Sequence, residues 1–91
     1  MAQEDYSALQ MEKSIHSAGQ IRLRKLLREA RLKGGLRQAD VAQRLGQPQS
    51  FVSKYESGER LLDLLELEQV CRALGLSLTD FVREFEGKQR K

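Results

Sequence analysis

Ninety-one residues with 40% apolar side chains, one cysteine and one histidine fit a single small domain. They exclude an internal disulfide and a histidine-based metal cluster; no apolar run is long enough to span a bilayer, and the start MAQEDYSALQ is acidic and polar rather than signal-like. The net charge of +3 is uneven: −2 over residues 1–20, +6 over 21–60 and −1 over 61–91, so the positive excess is central, as a polyanionic partner would require.

Residues 1–20 carry weak helical periodicity through Tyr6, Leu9 and Ile15, and Ser17-Ala18-Gly19 reads as a break. This extension is expected to be a flexible or loosely docked arm, with an extra helix packed on a partner subunit as the alternative. From Ile21 to Lys33 the spacing predicts a helix burying Leu23, Leu26, Leu27 and Ala30, stopped by Gly34-Gly35.

The segment LRQADVAQRLGQPQSFVSKYESGER, Leu36 to Arg60, then predicts two short helices joined by a tight turn. Gln38–Leu45 has an apolar stripe of Ala39, Val41, Ala42 and Leu45, and Gly46 ends it with the positive φ that glycine tolerates. Gln47 is placed to cap the next helix and Pro48 to occupy its first position, giving Pro48–Glu56 with Ser57-Gly58 closing it. Val52 and Tyr55 face inward. Gln49, Ser50 and Lys54 face elsewhere, and their chemistry suits base edges: a glutamine pairs with adenine, a serine donates or accepts, a lysine reaches guanine or phosphate. Phe51 is left to meet a thymine methyl or to pack against the N-terminal extension.

Polar outer faces occur on any small helical domain. The ordered run of apolar stripe, glycine, proline, polar start and second glycine is what points to a helix that reads a major groove.

Beyond Gly58, the loop residue Arg60 is placed to hold a phosphate, as loops flanking a reading helix commonly do. Asp63 and Glu66 have capping-box spacing at the start of a helix that buries Leu64, Leu67, Val70, Cys71 and Leu74 before Gly75 ends it. Cys71 reads as a buried structural thiol rather than a redox sensor. Ser77 and Asp80 start a last helix with Leu78, Phe81, Val82 and Phe85 as its stripe. Residues 87–91 form a short basic tail.

Arg31, Leu36, Gln38, the run AQRLG from Ala42 to Gly46, SFVSKYESGER from Ser50 to Arg60, and Ala73-Leu74-Gly75 together resemble the lambda-repressor-like helix-turn-helix family, the Cro, phage-repressor or xenobiotic-response-element type. The resemblance spans roughly Ile21 to Phe85. It implies an all-α, compact five-helix DNA-binding domain over residues 21–86, dimeric on a partly palindromic operator. It implies Gln38 at a phosphate; Gln49, Ser50 and Lys54 at base edges; and an internal ion pair between Arg31 and Glu56. It also implies a dimer surface in the C-terminal part, where Leu76, Phe81 and Phe85 are the candidates. Arg37 departs from the Ser or Thr common at its position, which removes a cap contribution of about 1 kcal/mol and offers a cation to the duplex backbone.

The expected function is sequence-specific recognition of double-stranded DNA by a homodimeric transcriptional regulator, a repressor or autoregulator, in the cytoplasm at the nucleoid. The alternative is an antitoxin-type or adaptor protein whose main partner is another protein, such as a toxin. The sequence predicts no catalytic residues, no metal site and no cofactor.

Overall fold

Ser17 begins a helix rather than interrupting the chain. In the computed structural model, which describes residues 16–87, its hydroxyl accepts the Gln20 N–H (3.1 Å) and caps α1, Ala18–Lys33. The helix thus starts three residues before the expected Ile21. Break and cap draw on the same small polar residues, so the segment Ser17-Ala18-Gly19 admits both meanings. The expected arm or extra helix before it and the tail after Gly87 lie outside the described residues.

Four more helices follow: α2 Gln38–Leu45, α3 Gln49–Ser57, α4 Leu64–Ala73 and α5 Leu78–Gly87. The ends of α1, α2 and α4 share one device, in which a left-handed glycine lets its own N–H and that of the next residue turn back onto the helix. At α2, Gly46 (φ 65°) donates to the Gln43 carbonyl at 3.1 Å and Gln47 to the Ala42 carbonyl at 3.0 Å. This is the turn of the helix-turn-helix. Pro48 is the N-cap of α3 rather than its first helical residue, a shift of one position from the expected bounds. At α4, the Asp63 carboxylate accepts the Glu66 N–H (2.8 Å) and the Glu66 carboxylate accepts the Asp63 N–H (3.0 Å), completing the expected capping box. Ser77 similarly accepts the Asp80 N–H at 3.0 Å.

Every helix sends side chains to one core: Leu26 and Leu27 from α1, Val41 and Ala42 from α2, Val52 and Tyr55 from α3, Val70, Cys71 and Ala73 from α4, and Phe81 from α5. α2 packs most extensively on α3, while α1 bridges α3 and α5 and α4 bridges α2 and α5. Burial pushes the Cys71 thiol up to about 11, which keeps it protonated at neutral pH.

The expected stripes need four corrections. Ala39, Leu64 and Val82 are exposed, whereas Ala73 is buried. Leu64 continues the α4 stripe in spacing but is the first residue of its helix and stays 66% exposed, while Val70 and Cys71 further along are fully buried. Periodicity gives the direction of a face, not the extent of its neighbours.

Candidate nucleic-acid interface

A buried ion pair ties α1 to α3. Arg31 Nε donates to Glu56 Oε2 at 2.7 Å and Nη2 to Oε1 at 3.0 Å, while Nη1 donates to the Leu36 carbonyl at 3.0 Å. Both side chains are almost wholly buried, at 9% and 4% exposure. The Glu56 hydrogen bond, the largest influence on Arg31, raises its pKa, so the guanidinium stays charged. Such a pair fixes an arrangement more reliably than it adds stability.

From this pair a chain of amides leads outward. Gln38 Nε2, at the start of α2, donates to Glu56 Oε1 at 3.0 Å; Gln49 Nε2, the first residue of α3, donates to Gln38 Oε1 at 3.2 Å. Gln38, expected at a phosphate, therefore has both ends of its amide engaged within the protein. Gln49 uses one amide hydrogen, which leaves a second N–H and the carbonyl oxygen facing solvent. Gln49, Ser50 and Lys54 are all exposed along α3.

Phe51 is half-buried. Its ring meets Tyr55 edge-on at 5.7 Å, and the Arg60 guanidinium lies 4.8 Å above it. Burial pushes the Tyr55 phenol well above its ordinary value.

The two arginines expected to clamp phosphates each hold a carboxylate. Arg37 Nε and Nη2 reach Asp40 at 3.1 and 2.8 Å. Asp40 also accepts the Arg37 backbone N–H at 2.8 Å. A guanidinium has no acceptor to return, so the Asp40 N–H turns to the Arg37 carbonyl instead (3.0 Å). The Arg37 side chain holds the Asp40 carboxyl down at about 2. On the other flank, Arg60 Nη1 and Nη2 reach Glu66 at 3.1 and 2.7 Å, and Nη1 also reaches the Leu61 carbonyl at 3.1 Å. Arg60 likewise lowers the Glu66 pKa.

From sequence, Asp40 has no role and Glu66 only that of a cap, so neither belongs to the expected site. The one signal was the capping-box position of Glu66. A further contact had no local signal at all: the Arg24 guanidinium of α1 lies over Gly58, where an added Cβ would fall 2.7 Å from its central carbon.

The candidate dimer residues fare unequally. Phe81 is 4% exposed and belongs to the core, as its place in the α5 stripe leads one to expect, and so is withdrawn as an interface candidate. Leu76 is half-buried, and Phe85 is half-buried beneath the Arg22 guanidinium at 4.4 Å. Large apolar side chains left in solvent include Leu61, in the loop after α3, and Leu64 and Leu65 at the start of α4, the last two 66% and 69% exposed.

A family model described as Helix-turn-helix matches residues 27–81. Among solved structures, an XRE-family like protein from Pseudomonas syringae pv. tomato str. DC3000 is 43% identical, with a TM-score of 0.76 over 81% of this chain and 90% of that one. The wild-type restriction-modification controller protein C.Esp1396I shares the fold at 22% identity and a TM-score of 0.76, over 84% of this chain and all of that one. The same controller as a tetramer in complex with its natural 35 base-pair operator gives a TM-score of 0.75 at 22% identity, over the same shares. No curated protein sequence matches the chain. The chain belongs to the XRE-type helix-turn-helix family of DNA-binding transcriptional regulators.

Proposed function

We propose that this protein is a homodimeric, sequence-specific repressor or autoregulator that lays α3 of each subunit in the major groove of a partly palindromic operator. One observation carries the reading. Gln49 stands exposed at the start of α3, held by a hydrogen-bonded chain anchored on the buried Arg31–Glu56 pair. Its remaining N–H and carbonyl oxygen are the donor and acceptor that adenine requires in the major groove. Ser50 and Lys54 supply neighbouring contacts, with Phe51 at the edge of the reading surface. Arg37 and Arg60 flank α3 and meet phosphates; Gln38 serves chiefly by positioning Gln49. The operator complex known for the similarly folded C.Esp1396I supports the same use of the fold.

Two copies on half-sites about one helical turn apart, roughly 34 Å, must meet beside their reading helices rather than behind them. Leu61, Leu64 and Leu65 lie on the segment that leaves α3, and a second copy covers them; Leu76 and Phe85 extend that contact or remain structural. These leucines also favour the alternative reading, in which a protein such as a toxin is the main partner. Sedimentation of the pure protein with and without Leu64→Glu and Leu65→Glu separates the two, since only a homodimer loses mass on its own.

The function itself is tested by gel-shift titration against the DNA upstream of the protein's own gene, with excess unrelated duplex and at several salt concentrations. A shift that survives the competitor, weakens with salt and holds two subunits per site supports the reading. A shift erased equally by any duplex contradicts it.

A further inference from the structure

Both cations flanking the reading helix are engaged in the same way. Asp40 and Glu66 each stand at the third position of a helix, each accepts the backbone N–H of the residue capping that helix, and each grips an arginine at two points. Each arginine is tied to α3. Arg37 adjoins Gln38, which holds Gln49, and Arg60 lies over Phe51.

We propose that Asp40 and Glu66 are specificity-determining counter-charges, which weaken the pull of Arg37 and Arg60 on any duplex and release them to phosphates only where base contacts hold the operator in place. The inference rests on the DNA reading above. A guanidinium grips phosphate with the same fork that it offers a carboxylate, so the two compete for one surface. An exposed ion pair is weak, and a phosphate fixed at that spot by neighbouring contacts displaces it. A duplex passing at random holds no phosphate there and meets a neutral pair. Non-specific affinity comes from released counterions, about 0.9 per phosphate neutralised, so two masked cations remove up to two contacts from that count. Orientation is retained while charge is withheld.

Asp40→Asn and Glu66→Gln test the effect, because each keeps an oxygen for the capped N–H while losing the charge and one of the two acceptors that grip the arginine. Glu68→Gln is the control matched in charge to each single variant, since Glu68 pairs loosely with Arg72 at 3.5 Å on α4 and makes no contact with either flanking arginine. Affinities are measured for the operator and an unrelated duplex across a salt series, with thermal melts confirming the fold. The double variant is expected to bind the unrelated duplex on the order of threefold tighter per site, with a salt slope steeper by up to about 0.9 per site. Operator affinity is expected to rise less, so discrimination falls; Glu68→Gln leaves the slope in place. An unchanged slope and non-specific affinity in folded variants that still bind the operator would overturn the proposal and leave the DNA reading standing. An equal gain in Glu68→Gln would overturn it as a mere effect of net charge, and weaker binding to both duplexes would make the carboxylates simple supports. A wild-type protein that prefers no duplex would remove the DNA reading and this inference together.

Discussion

Arg31–Glu56 and Arg37–Asp40 are the same chemistry in two settings. Each is a two-point grip of guanidinium on carboxylate, at 2.7 and 3.0 Å in the first and 2.8 and 3.1 Å in the second. The first pair is sealed between α1 and α3; in the second, the arginine side chain is 80% exposed. Burial makes the first a fixed joint, because neither charge can find water if the other leaves. Solvent makes the second exchangeable, because water or a phosphate can take either place. The comparison shows why one fold can hold α3 rigidly through one arginine–carboxylate pair and still keep another exchangeable at its surface.

The largest break in that comparison is expected at Glu56. Glu56→Ala leaves Arg31 buried without a counter-charge and should lower stability by about 3–5 kcal/mol in urea denaturation. A loss below about 1 kcal/mol would mean that water reaches the pair, as at an exposed site. Gly58→Ala comes next. The position is at φ 92° with Arg24 packed over it, so a side chain there should cost about 1–3 kcal/mol, most of it backbone strain that no shift of the arginine relieves.

The Arg37–Asp40 pair should show itself through pH. The Asp40 carboxyl falls from the ordinary 3.8 to about 2 in the folded protein, chiefly through the Arg37 side chain. A lowered folded pKa stabilises above the unfolded value and ceases to do so as pH falls through the folded one. Melting temperatures of the wild type and Asp40→Asn should therefore differ above pH 4 and converge towards pH 2; parallel curves would place the carboxyl outside the pair. The smallest effect is expected for Arg72→Ala. Its contact with Glu68 is long and exposed, and its loss should change stability by less than about 0.5 kcal/mol.

What could be read in advance follows from range. Gly46 and Pro48 act on their own backbone, so the turn and both its helices were legible within a residue. Val52 and Tyr55 were legible because α3 is amphipathic over its whole length. Ser17 was not, since a cap and a break use the same residue types and only the position of the helix distinguishes them. Leu64 and Val82 obey their stripes, but their burial depends on helices folded from distant sequence. The site divides in the same way. That Gln49, Ser50 and Lys54 are exposed was a matter of local periodicity, whereas the grip of Glu66 on Arg60 depends on the course of the loop before α4, and that of Gln38 on Gln49 on how two helices meet. Arg24 over Gly58 joins residues 34 positions apart in the sequence, and nothing near either announces it.

The central claim, that Gln49 reads one base pair from the exposed start of α3, is tested most directly by measuring wild-type and Gln49→Ala affinities over operators substituted at each base pair in turn. The account predicts that Gln49→Ala loses roughly 1–3 kcal/mol on the native operator and loses its preference at a single position in each half-site, with discrimination elsewhere intact. A uniform loss at every position, with the pattern of preference unchanged, would contradict it and leave Gln49 as a support for the helix rather than its reader.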